Sequence, residues 1–113
     1  MEDKNLLFKL ADDISKESFK ITLSFPQKFQ LSLADQLRRS SLSIVLNIVE
    51  GGARISTKEK KHFLSIAFGS LKETKYLLYF CKEFSIGDEG KINDILEKIN
   101  RLAKLIYGLL HNK

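Results

Sequence analysis

Apolar residues recur along this chain at spacings of three, four and seven, the period of helices buried on one side. Leu6, Leu7, Leu10, Ile14 and Ile21 mark a first helix from about Lys4 to Thr22. It should end near Ser24-Phe25, because Pro26 disfavours the α conformation in its predecessor. Phe25 and Phe29 are expected to anchor the following loop in the core. A second helix begins near Ser32, the expected N-cap, and closes at the Gly51-Gly52 pair. Its apolar arc holds Leu33, Leu37, Ile44, Val45, Ile48 and Val49. Ser56-Thr57-Lys58-Glu59 is a capping box that opens a third helix reaching Phe84. There Phe63, Ile66, Ala67, Leu71, Leu77, Leu78 and Phe84 trace the expected buried arc, joined by Ser70, Thr74 and Cys81. Asp88 caps a fourth helix to about His111, with Ile92, Leu96, Ile99, Leu102, Ile106 and Leu109 as its seam. On its outer side Asp94-Lys98 and Glu97-Arg101 have the spacing of ion pairs. Short connections join the four helices. The pattern predicts an all-α, antiparallel up-down-up-down four-helix bundle forming a single domain over residues 1–113.

The second helix carries a further pattern. Gln36, Arg39, Ser43, Asn47, Glu50 and Arg54 fall on one narrow stripe beside the apolar arc, and every member is polar. A solvated face is ordinarily rich in Lys and Glu, whereas Gln, Ser and Asn serve geometry. Three readings stay open for the stripe: a packing seam between subunits or within the chain, an exposed face, and a ligand site. Gly69, in the middle of the third helix, costs about 1 kcal/mol against Ala and suggests a close approach by another backbone on its face.

Charge changes the picture through its distribution. The net charge is +5. Residues 1–37 hold five Lys/Arg and six Asp/Glu, residues 83–113 five of each, and residues 38–82 nine Lys/Arg against three Asp/Glu. The positive excess therefore sits in the middle of the chain, where Arg38, Arg39, Arg54, Lys58, Lys60 and Lys61 are the candidate contacts for a polyanion. The single cysteine, Cys81, gives no disulfide framework and is expected in the core. The charged N-terminal stretch does not read as a signal peptide, and no apolar run approaches the ~20 residues of a membrane span. A cytoplasmic location fits.

Catalytic chemistry is poorly served. His62 and His111 lie far apart and outside metal-ligand spacing, with His62 expected on the surface. Gly51-Gly52 closes a helix and lacks the spacing of a phosphate loop. Glu50 with Asn47, Ser43 and Arg54 is the best enzyme candidate, but a carboxylate beside an arginine suits a structural ion pair better than a general acid. No metal, cofactor or catalytic residue is expected.

Several of these residues carry a resemblance. Phe25-Pro26, Gln36-Leu37-Arg38-Arg39, Ser43-Ile44, Asn47-Ile48, Glu50-Gly51, Arg54 and Phe63-Leu64-x-Ile66-Ala67-x-Gly69-Ser70-Leu71-x-Glu73 resemble the bacterial four-helix-bundle family named for proteins encoded in 23S rRNA intervening sequences. The likeness covers residues 25–73 as motif and 5–110 as helix order. Val45, Leu46 and Val49 stand where the family usually has Pro, Ala and Ala, which removes the usual reason for a bend in the second helix. Thr74 replaces a usual apolar residue. The resemblance implies a ring, typically a homopentamer. The family includes the accessory protein of diversity-generating retroelements, whose basic barrel binds nucleic acid and a reverse transcriptase. The expected partners are therefore further copies of the chain, RNA or DNA with little base specificity, and a protein such as a reverse transcriptase. The stripe, with Gly69, would lie between subunits. The alternative is an adaptor ring that serves a protein partner without touching nucleic acid.

Overall fold

The computed structural model of the chain describes the backbone of residues 2–112 and the side chains of residues 6–112. Four helices run in order: α1 (Glu2–Thr22), α2 (Leu33–Gly52), α3 (Thr57–Glu83) and α4 (Glu89–Leu110), with a short 3-10 turn at Gln27–Phe29. Each helix packs on its sequence neighbours, and α1 closes on α4. Among the described residues no Cα of a helix comes within 8 Å of one on its diagonal partner. Along α2, Gln36 reaches Glu73, Ser40 reaches Thr74 and Ser43 reaches Ser70, the falling partner numbers of an antiparallel pair. This is the all-α four-helix bundle that the periodicity predicts. α2 runs unbroken through Val45 and Leu46.

One core joins all four helices. Leu10, Ile14, Leu37, Ile44, Leu71, Leu78, Ile92, Ile99, Leu102 and Ile106 are buried, as the helical phase requires. The local signals at two helix starts are also realised. Ser56 Oγ accepts the amide of Glu59 at 3.1 Å, and Asp88 Oδ1 accepts that of Lys91 at 2.9 Å. Ser32 behaves differently: its hydroxyl makes no cap and lies 3.5 Å from the carbonyl of Phe29. The 3-10 turn runs almost directly into α2, and Ser32 lacks the extended backbone of a capping residue.

α3 ends in a Schellman motif. The amide of Ile86 bonds the carbonyl of Cys81 at 2.8 Å, and that of Ser85 bonds Lys82 at 3.2 Å. Ser85 takes the left-handed conformation at φ 54° that glycine usually supplies. Gly87 follows at φ +87°, and a Cβ there would sit 2.7 Å from Cε1 of Phe25. The α3–α4 turn thus presses on the ring that anchors the α1–α2 loop. Gly87→Ala is expected to cost about 1–3 kcal/mol through backbone strain and this clash, read as a lowered melting temperature. An unchanged melting temperature would contradict that packing.

Three expectations about burial fail, and two about pairing: Glu97 and Arg101 form no salt bridge among the described residues. Helical phase places Val49, Ile66 and Phe84 in the core, yet all three are exposed. Each sits at the edge of its arc, where no neighbouring helix covers it. Lys98 pairs across the bundle with Glu17, and with Asp13 at 3.6 Å, rather than with Asp94. The hydrogen bond to Glu17 and then the two carboxylate charges raise its pKa above the ordinary lysine value. Its ammonium therefore supports the fold at neutral pH and is lost only as the medium becomes strongly alkaline.

Candidate functional site

The polar stripe of α2 lies on the flank that faces α3, and much of it is satisfied within the chain. Ser43 and Ser70 share a hydrogen bond at 2.8 Å. The Asn47 amide donates to the Ser43 carbonyl at 2.8 Å and to its hydroxyl at 3.1 Å. Gln36 donates to Glu73 at 3.1 Å. Below them Thr74 Oγ1 sits 2.8 Å from Ser40 Oγ and 2.8 Å from the Ser70 carbonyl, in a fully buried position. This hydroxyl ladder fixes the pairing of α2 with α3. Arg39 turns outward to Asp35 at 2.9 Å. Glu50 pairs with Arg54, whose guanidinium lies 4.8 Å over the ring of Phe63. The carboxylate that was the best enzyme candidate is thus held in an exposed ion pair. A Cβ on Gly69 would meet nothing within 4 Å, so the close approach expected there does not occur inside the chain.

The six candidate nucleic-acid residues do not form one patch. Arg38 is committed to the α1–α2 connection. Its guanidinium donates to Thr22 Oγ1 at 2.9 Å, to Gln30 Oε1 at 3.2 Å and to the Gln30 carbonyl at 2.9 Å. The Gln30 amide in turn caps the carbonyls of Thr22 and Phe25 at 2.7 and 3.0 Å. A cation at this end of α1 also suits the helix dipole. Arg39 lies in the second turn of α2 and lines the α1–α2 hollow with Arg38. Arg54, Lys58, Lys60 and Lys61 gather where α2 passes into α3, beside the exposed His62. Lys61 donates to the backbone carbonyl of Asn112 at 2.6 Å.

Two apolar surfaces were not anticipated. In the groove of α1 and α2, Phe19, Leu23 and Leu42 line an outward hollow beside Lys16, Lys20, Arg38 and Arg39, and Leu46 and Val49 are exposed further along α2, from 49% exposed at Leu42 to 65% at Leu23. On α3, which packs on α2 and α4, Tyr76, Phe80 and Phe84 form another, with Ile66 exposed about 15 Å back along the helix. Ring centroids there are 6.5 Å apart for Tyr76–Phe80 and 4.8 Å for Phe80–Phe84. The signal was present in the sequence: Leu42-Leu46-Val49 and Tyr76-Phe80-Phe84 keep helical spacing, with Val49 and Phe84 at the edges of the expected arcs and the other four outside them. Contiguous exposed apolar patches of this kind mark interaction sites.

Among the described residues no three His, Cys, Asp or Glu side chains gather as metal ligands. No described helix is long and apolar enough to cross a membrane. Cys81 is buried, and burial pushes its thiol up to about 11, away from nucleophilic use at neutral pH.

Known proteins place the fold. A solved structure of a protein of unknown function, from the S23 ribosomal protein family of Bacteroides thetaiotaomicron, matches with a TM-score of 0.83 at 19% identity. The match covers 97% of this chain and 99% of that one, and at such identity it speaks to fold alone. No curated protein matches the chain in sequence. The family model described as 23S rRNA-intervening sequence protein matches residues 3–108. With so nearly complete a match, the chain belongs to the 23S rRNA-intervening sequence protein family.

Proposed function

We propose that the chain is a non-enzymatic bundle that assembles with copies of itself, as the pentameric ring its family resemblance implies, and that the assembly binds nucleic acid along the phosphate backbone. The carrying observation is the pair of unlike apolar faces, one on α1–α2 and one on α3. Unlike faces on different sides of one molecule favour a head-to-tail contact, which closes into a ring when the rotation allows. The stripe of Gln36, Ser43 and Asn47 then acts chiefly inside each subunit, where it sets the α2–α3 register beneath the contact.

Nucleic acid is engaged by Arg39, Arg54, Lys58, Lys60 and Lys61, repeated around the ring. Five copies would carry about +25, enough for strong and salt-sensitive attraction to a polyanion. Light scattering is expected to give a mass several times that of one chain. RNA and DNA should bind at low ionic strength, with affinity falling steeply as salt rises. A monomer without affinity for either at low salt would end this reading. The adaptor reading has one specific point in its favour: Arg38, Arg39 and Arg54 already have partners within the chain. A nuclease-insensitive complex with protein alone, from an oligomer that ignores RNA and DNA, would select it.

A further inference from the structure

At one end of the bundle, α2 finishes, α3 begins, and the ends of α1 and α4 converge around a cavity of about 450 Å³. Its walls are Leu7, Phe8, Ile48, Val49, Leu64 and Leu109. Its polar lining includes Lys60 and Lys61, and no acidic residue is among the described lining residues. The volume falls within the range of small-molecule sites, which are mainly apolar with a few placed polar groups.

The glycine pair at the end of α2 has two separate consequences here. A Cβ on Gly51 would lie 3.2 Å from Cβ of Phe63 and 3.4 Å from the Lys60 carbonyl, so this glycine lets α2 and α3 meet closely. A Cβ on Gly52 would meet nothing within 4 Å, and Gly52 lines the cavity. The missing side chain at Gly52 leaves the space open without any packing need for glycine. Lys61 is held at the rim by its bond to the Asn112 carbonyl, which joins the α3 and α4 ends.

We propose that this cavity binds a small amphipathic anion, a single alkyl or acyl chain with an anionic head. The tail lies against the six apolar walls and the head is paired with the ammonium groups of Lys60 and Lys61. Apolar walls alone would accept a neutral alcohol equally well. Two cations on the lining, with no opposing carboxylate among the described lining residues, select the negative head, because a charge-assisted hydrogen bond is roughly twice as strong as a neutral one. The site goes beyond the assembly and nucleic-acid reading. Gly52→Leu separates the two, since it fills the space without altering a charge.

The test is a fluorescence titration of the full chain with dansyl-undecanoate, followed by displacement with dodecanoate, dodecyl phosphate and dodecanol below their micellar concentrations, with solution mass measured alongside. One saturable site per chain is expected. Both anions should displace the probe, their order identifying the preferred head, and dodecanol should be at least ten-fold weaker. Gly52→Leu should abolish binding with the melting temperature and nucleic-acid affinity kept. Lys60→Gln with Lys61→Gln should weaken the anions about ten-fold and leave the alcohol unchanged. Non-saturable uptake, equal affinity for alcohol and anion, or full binding by Gly52→Leu would each overturn the proposal; the last would assign the probe to the exposed faces.

Discussion

Phe80→Lys and Leu42→Lys should each reduce the assembly to monomers, and an equimolar mixture of the two should recover dimers. The reason lies in the two unlike faces. Phe80 is the middle ring of the α3 face, and Leu42 sits in the α1–α2 face. In the isolated chain both side chains are exposed, so the substitutions should leave the fold within about 0.5 kcal/mol of the parent. In a contact, each would bury an ammonium against apolar atoms, at a cost of several kcal/mol. In a head-to-tail contact each variant keeps one sound face. Phe80→Lys retains α1–α2, Leu42→Lys retains α3, and the mixture makes one good contact per pair and stops there. A self-complementary contact would behave otherwise, because both partners would bring the same damaged surface. Light scattering on the separate and mixed variants reads the difference directly. Unchanged mass in both single variants, or a mixture that stays monomeric, would remove the head-to-tail assembly.

The parts of this molecule that were legible in the sequence are those set by neighbours along the chain. Ser56 and Asp88 cap their helices because a cap is a matter of three or four residues. The arcs of α1 and α4 are buried nearly as phase predicts, since each is flanked by two helices with strong apolar contrast. What phase does not give is the width of the covered arc. Val49, Ile66 and Phe84 are as apolar as their buried neighbours, and only the position of the next helix leaves them outside. The same holds for pairing. Lys98 has the right spacing for Asp94, yet Asp13 and Glu17 across the α1–α4 contact offer two carboxylates in a less hydrated place. The polar stripe of α2 was visible as a pattern. Its main partner, the Ser70-Glu73 side of α3, was not, because helical spacing says where a group points and not what meets it.

Arg38 separates charge from role most sharply. By sequence it belongs with the basic residues of the middle segment; by position it ties α1 to α2. Arg38→Leu should lower stability by about 2 kcal/mol, roughly 10 °C in melting temperature, and leave the salt dependence of nucleic-acid binding almost unchanged. The substitution strips the Gln30 carbonyl and Gln30 Oε1 of the guanidinium donor while Gln30 is still needed to cap the end of α1. Arg38→Lys should restore little, because one ammonium cannot reproduce a planar fork that serves Thr22 and two oxygens of Gln30 at once. The triple replacement of Lys58, Lys60 and Lys61 by Gln should do the reverse. Their ammonium groups have no salt bridge among the described residues, and the Lys61 bond to the Asn112 carbonyl is exposed, so the melting temperature should barely move. The slope of log affinity against log salt should fall by up to about two to three per chain engaged. If Arg38→Leu instead flattened the salt slope at constant melting temperature, the guanidinium would have to leave Thr22 and Gln30 to meet phosphate. The α1–α2 connection would then be a moving part of the binding surface rather than its fixed support.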